Sequence, residues 1–243
     1  QTGGGTLSGA EETAIDNFFV GLKSDGIYSK ISVMYPFLGS VANSNKINAA
    51  NPGTNDLTFN GTWTHSSTGS YCARSDSNYA DTGFNISTSA SPGSDFSAGA
   101  MVISGSTQGY MGVGTGQTNY ILIGTFNGTE FFYPTGPIQP GGTGFRDSGA
   151  FMAVNRNAES DFKTNRAFAG GDGTLLISTH STTYSTPYDA TWYFNGINGL
   201  NGFNMEGIIQ FGYLSEGLTD DEIQNLVNNL KSLNTTFGRN MFV

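Results

Sequence analysis

Thr125-Phe126-Asn127-Gly128-Thr129-Glu130-Phe131 reads as a β-hairpin. Asn-Gly supplies the positive φ angles that a two-residue turn demands, and the residues around it are mostly β-branched or aromatic. Outward from it the same texture continues, with short apolar runs at 101–104, 120–126, 131–133, 151–155, 175–179, 191–194 and 208–214. Asn60-Gly61, Asp172-Gly173 and Asn198-Gly199 punctuate these runs, and Asp172-Gly173 is expected to close a second hairpin between 166–169 and 175–178. Residues 135–144 and 178–186 read as loops, the first rich in Pro and Gly and the second in Ser and Thr.

Helical spacing occurs only at the two ends. Ser8 and Glu11 have capping-box spacing, and Ile15, Phe18, Phe19 and Leu22 then recur at steps of three and four. Past Gly26, the spacing of Ile27, Ile31 and Met34 predicts a second short helix that stops at Tyr35-Pro36. Thr219 and Glu222 repeat the capping box, followed by an apolar stripe of Ile223, Leu226, Val227, Leu230 and Leu233. The expected organisation is a flexible linker at 1–10 and a single β-sandwich domain over 11–243, with helical segments at 11–35 and 219–235. The fold class is therefore all-β, with an N-terminal helical segment and a C-terminal amphipathic helix.

Composition agrees with this class and removes several functions. The 243 residues include 35 glycines, and only 12% are charged, as suits turn-rich β structure. Ten basic residues stand against 19 acidic ones, a formal net charge of −9. The basic residues are scattered, so neither nucleic acid nor an anionic membrane is an expected partner. No apolar run approaches the roughly 20 residues that span a bilayer, so no membrane insertion is expected. Gln1 followed by a Gly-rich stretch reads as a processed terminus or a linker. Cys72 is the only cysteine, which excludes an internal disulfide and reads as a small buried hydrophobe.

Three segments carry a family resemblance. Residues 26–39 (GIYSKISVMYPFLG), the stretch from Lys46 through Leu57-Thr58-Phe59-Asn60-Gly61-Thr62-Trp63-Thr64-His65 to Tyr79-Ala80-Asp81-Thr82, and the end from Glu216-Gly217-Leu218-Thr219 to Phe237-Gly238-Arg239 resemble laminin-G/concanavalin A-like structural proteins of tailed bacteriophages. The resemblance covers both ends of the chain. It implies a jelly-roll sandwich displayed on a virion surface, among other virion proteins and as a homo-oligomer. It further implies adhesion to cell-surface glycans, with a purely architectural decoration role and a polysaccharide-degrading glycosidase or lyase as alternatives.

The residues argue against chemistry. Glucanases of this fold class carry E-x-D-x-x-E or E-x-D-x-E on one strand, whereas Glu159-Ser160-Asp161 is followed by Lys163 and Thr164. His65 and His180 lie in no recognisable catalytic motif, and no zinc-ligand spacing occurs. The expectation is a chain that is not an enzyme and holds no cofactor. A structural calcium ion stays open, with Asp147, Asp172 and Asp189 as available carboxylates. For glycan binding, the expected surface is Tyr184, Tyr188, Asp189, Trp192, Tyr193 and Asn195, where aromatic rings lie beside hydroxyl, amide and carboxylate groups. The competing expectation is two-residue alternation that turns Trp192 and Phe194 inward and only Tyr193 to water.

Overall fold

The computed structural model describes residues 6–89, 95–106, 108–116, 119–126, 129–132, 139–143, 149–158, 161–168, 170–181, 189–197, 206–239 and 241–242. Among these the strands, in chain order, are β1 (Ile31–Tyr35), β2 (Thr58–Asn60), β3 (Trp63–Ser66), β4 (Gly69–Cys72), β5 (Tyr79–Asn85), β6 (Phe96–Ser106), β7 (Gln108–Gly116) and β8 (Asn119–Phe126). They continue with β9 (Thr129–Phe132), β10 (Gln139–Thr143), β11 (Ala150–Ala158), β12 (Asp161–Phe168), β13 (Leu176–Ser181), β14 (Thr191–Phe194) and β15 (Glu206–Ser215). The helices are α1 (Gly9–Ser24), α2 (Ala42–Asn45), α3 (Ile86–Ser89) and α4 (Asp220–Thr236). Every strand pairing is antiparallel.

Sheet A runs β13-β12-β11-β6-β15-β4-β3, and sheet B runs β10-β9-β8-β7-β14-β5-β2. β15 is the hub of sheet A. It pairs with β6 along one side, with β4 along the first half of its other side and with β1 along the second half. Both expected hairpins form: Phe126 stands opposite Thr129, and Arg166 opposite Leu176. Asn127 and Gly128 themselves lie outside the described residues, as do Asn198 and Gly199. Gly173 takes the positive φ the second turn needs (86°), and the Asp172 carboxylate accepts from the Thr174 N–H at 2.8 Å. The Asn60-Gly61 turn does something else. It carries the chain from β2 in sheet B to β3 in sheet A, so it is a corner of the sandwich.

Two apolar layers follow. Between the sheets, Tyr35, Ala100, Met152 and Leu214 of sheet A meet Phe84, Met111, Ile123, Trp192 and Phe194 of sheet B. The sheets approach closely at Gly212 of β15, where a Cβ would come within 2.1 Å of the Phe194 ring. On the far side of sheet A, Met34, Met101, Phe151, Phe211 and Tyr213 meet Phe18 and Leu22 of α1 and the whole apolar stripe of α4. Both expected capping boxes are complete, at Ser8–Glu11 and Thr219–Glu222. Lys30 and Lys163 pin the start of α4 through Glu222 and Asp220, each pair 2.6 Å apart.

Four expectations change here, the first at 135–144, expected to be a loop, where Gln139–Thr143 is strand β10 paired with β9. Residues 27–35 are not helical beyond a single 3-10 turn at Tyr28–Lys30, and Ile31–Tyr35 is a strand. Val33 and Tyr35 face the sandwich core while Ile31 and Met34 face the helices, so apolar residues occupy both parities. A strand covered on both faces imitates helical spacing in this way. At the N-terminus, Ser8 caps α1 and Gly9 and Ala10 belong to that helix, so the last three residues of the expected 1–10 linker are part of α1 and its cap. The Ser/Thr stretch 178–186 also enters the sheet at its start, since β13 runs to Ser181.

Candidate functional site

The outer face of sheet B has no helix over it among the described residues, and its open part is built by β2, β5 and β14. Along β5 the apolar Ala80 and Phe84 turn into the core, with Thr82 beside them, which leaves Tyr79, Asp81, Gly83 and Asn85 on the outer face. Along β14 the same alternation buries Trp192 and Phe194 and presents Thr191 and Tyr193. The register sets Tyr193 opposite Asp81, Asp81 opposite Thr58, and Tyr79 opposite Asn60. Tyr79 and Tyr193 are therefore diagonal neighbours. Their rings stack at 4.5 Å between centroids and 9° between planes.

Polar groups surround that pair. The Asp81 carboxylate accepts from the Gly83 N–H at 2.8 Å, and Gly83 has a positive φ of 62°. The Asn55 amide stands over Gly83, since a Cβ there would lie 3.5 Å from Asn55 Nδ2. Burial first, and then the charge of Asp81, pushes the Tyr193 hydroxyl above its ordinary pKa, so it remains a neutral donor and acceptor. Further along the face, Asp189 accepts from Asn85 Nδ2 at 2.8 Å and from Ser87 Oγ at 3.3 Å. Toward β7 the face closes, because Ile197 lies against Gly112, whose Cβ would come within 2.7 Å of Ile197 Cγ1.

This geometry separates the six residues expected to bind. Tyr193 is on the face and partly exposed, and Asp189 is exposed but tied to Asn85 and Ser87. Trp192 and Asn195 are corrected. Trp192 is fully buried between the sheets, and Asn195 is fully buried with a positive φ of 62°, its N–H donating to the Tyr110 carbonyl and its amide to the Asn78 carbonyl. Neither side chain can touch a ligand. Tyr184 and Tyr188 lie outside the described residues. The expected cluster omits Tyr79 and Asp81. Their signal was the alternation Tyr79-x-Asp81-x-Gly83-x-Asn85 around an apolar inner set, but only the fold shows that Tyr193 is their neighbour.

Other chemistry-bearing residues have structural roles. His65 Nδ1 lies 2.9 Å from Ser70 Oγ, and Asn45 Nδ2 lies 3.0 Å from the same oxygen. Ser70 is fully buried and Asn45 nearly so, so no substrate reaches that hydroxyl, and the trio ties α2 to β3 and β4. Burial holds the His65 imidazole below its ordinary pKa and pushes the Cys72 thiol up to about 12. Glu159 and Asp147 lie outside the described residues. Asp172 closes its own turn, and hydrogen bonds from Thr174 lower its pKa. Among the described residues, no three His, Cys, Asp or Glu side chains gather closely enough to hold a metal ion.

Fold and face together define an antiparallel β-sandwich with one sheet armoured by helices and the other offering an aromatic, polar surface. No family model matches the sequence, and no curated protein matches it. Solved structures match it by fold. Domain 4 of AbnA, an extracellular GH43 arabinanase of Geobacillus stearothermophilus, solved with arabinotriose, aligns at 17% identity and TM-score 0.50, over 82% of this chain and 98% of that one. The binding domain of botulinum neurotoxin DC, solved with rat synaptotagmin II, aligns at 14% identity and TM-score 0.56, over 84% of this chain and 52% of that one. A Trypanosoma rangeli sialidase mutant displaying trans-sialidase activity aligns at 12% identity and TM-score 0.55, over 91% of this chain and 39% of that one. This chain thus spans about half of the toxin structure and two fifths of the sialidase.

These matches correct one expectation. The chain was expected not to be an enzyme because a strand-borne carboxylate motif is missing, yet its fold matches are mostly glycoside hydrolases, among them arabinanase, arabinofuranosidase and sialidase. The missing motif excludes only one way of placing two carboxylates. Loops and neighbouring strands can supply such a pair at spacings a linear motif does not capture.

Proposed function

We propose that this chain is a glycan-binding β-sandwich whose ligand lies on the open outer face of sheet B. One observation carries the reading: the stacked Tyr79 and Tyr193 rings sit on a sheet face that no described helix covers, with Asp81 opposite Tyr193 in the register. Aromatic surface packs against the C–H faces of sugar rings, while carboxylate, amide and hydroxyl groups pair with sugar hydroxyls. Strands hold these groups more precisely than a loop would. The match to an arabinanase domain solved with arabinotriose supports the reading, since it covers nearly all of that domain.

The resemblance of residues 26–39, 46–82 and 216–239 to laminin-G/concanavalin A-like proteins of tailed phages supports a location on a virion surface, beside other virion proteins. There the module serves as an adhesion element. The test is retention on immobilised polysaccharides for the parent and for the double variant Tyr79→Ala, Tyr193→Ala. Loss of retention in a variant that still melts cooperatively is the expected result. Unchanged retention in that folded variant overturns the assignment of the face.

A further inference from the structure

Charge is divided unevenly between the two sheets, and the division bears on which glycans the face accepts. The strands of sheet B carry Asp81 and Glu130 and no Lys or Arg. The cations lie elsewhere: Lys23 on α1, Lys30 in the 3-10 turn, Lys46 just after α2, Arg156 on β11, Lys163 and Arg166 on β12, Lys231 on α4, and Arg239 beyond it. Lys30 and Lys163 are held in ion pairs with α4. Arg239 is nearly fully buried and donates to the carbonyls of Pro36, Phe37, Ser67 and Gln210. Arg74 precedes β5 but is engaged in an interaction of its own. Arg146 lies outside the described residues.

Recognition of a carboxylate- or sulfate-bearing sugar needs a donor that matches the anion, most often the guanidinium fork of Arg. The described part of this face offers the reverse: a carboxylate at its centre, a second at Asp189, and a chain with a net charge of −9 around it. Resting on the glycan-binding reading above, we propose that the Tyr79–Tyr193 face selects uncharged oligosaccharides and repels uronate-, sialate- and sulfate-bearing ones. Asp81 then has two roles. It accepts hydrogen bonds from the hydroxyls of a neutral sugar, and it repels an anionic sugar seated on the same rings.

The experiment titrates the whole chain with uncharged arabino-, xylo- and gluco-oligosaccharides and with uronate- or sialate-bearing oligosaccharides of matched length, at low and at high salt. Uncharged ligands are expected to bind at least about fivefold more tightly at low salt, the factor that one like-charge contact at ~4 Å is worth in water. Added salt should narrow the gap, because it screens exposed charge. Asp81→Asn, which keeps an acceptor for the Gly83 N–H, should narrow it as well. Equal or tighter binding of the acidic ligands overturns the selectivity and leaves the glycan-binding reading standing. A gap that neither salt nor Asp81→Asn alters removes charge as the selector. Binding of none of these ligands retires the face as a glycan site, and the selectivity with it.

Discussion

Sheets A and B have similar strand numbers and share one apolar interface, yet their outer faces have opposite fates. The outer face of sheet A is covered by α1 and α4 over its central strands, so β1 and β15 are apolar on both sides: Ile31 and Met34 against Val33 and Tyr35, Phe211 and Tyr213 against Ile209 and Leu214. The outer face of sheet B, over β5 and β14, keeps the strict alternation of a half-solvated antiparallel sheet. Among the described residues, helices cover the outer face of sheet A and none covers that of sheet B, where the outward residues of β5 and β14 are mostly polar.

Matched substitutions on the two outer faces should expose this difference most strongly. Phe211→Ala, beneath the helices, is expected to cost about 3–5 kcal/mol, and Leu230→Ala on α4 about 2–5 kcal/mol. Tyr193→Ala on sheet B should cost less, the ring pairing of about 0.5–1.5 kcal/mol together with the loss of a half-buried ring. Denaturant unfolding of the three variants settles it, and equal losses at Phe211 and Tyr193 would break the contrast. The shared interface should respond at an intermediate level. Gly212→Ala drives a methyl toward the Phe194 ring and should cost about 1–3 kcal/mol, read as a lowered melting midpoint.

The smallest effect expected is a pH dependence from the sheet A edge. Burial keeps the folded-state pKa of His65 below its ordinary 6.5, so the unfolded chain binds this proton more readily. His65 therefore contributes stability that is full above about pH 6.5 and is lost as pH falls toward the lower folded value. Stability of the parent should decline over that window, and His65→Gln should flatten the decline. A His65→Gln profile as steep as the parent's would remove this histidine from the account.

Legibility followed the same division. The capping boxes at Ser8 and Thr219, the α4 stripe and the alternation in 191–194 are local signals, and each matches the structure. Residues 31–35 misled because burial on both faces erases the two-residue period. Within the expected glycan cluster, proximity in sequence grouped Trp192 and Asn195 with Tyr193, although the pleat sends Trp192 to the other side of the sheet and Asn195 turns into buried hydrogen bonds. The partner that Tyr193 does have, Tyr79, sits on a strand far away in sequence. Only the β14–β5 register brings the two together. Charge partition was already present in the sequence, but it acquired meaning once strands could be assigned to sheets.

The position of β15 also dictates an order of events during synthesis. Glu206–Ser215 lies between β6 on one side and β4 and β1 on the other, and those three strands are all translated well before it. A ribosome-bound chain that has not reached residue 206 holds sheet A as separate pieces with unpaired, apolar edges, and α4 has not yet arrived to cover Phe151 and Met101. Such edges invite pairing with other chains, and long-range strand insertion is slow. The nascent protein is thus most exposed to misassembly just before its central strand emerges, so conditions that slow translation late in the message should lower its soluble yield more than those that slow it early.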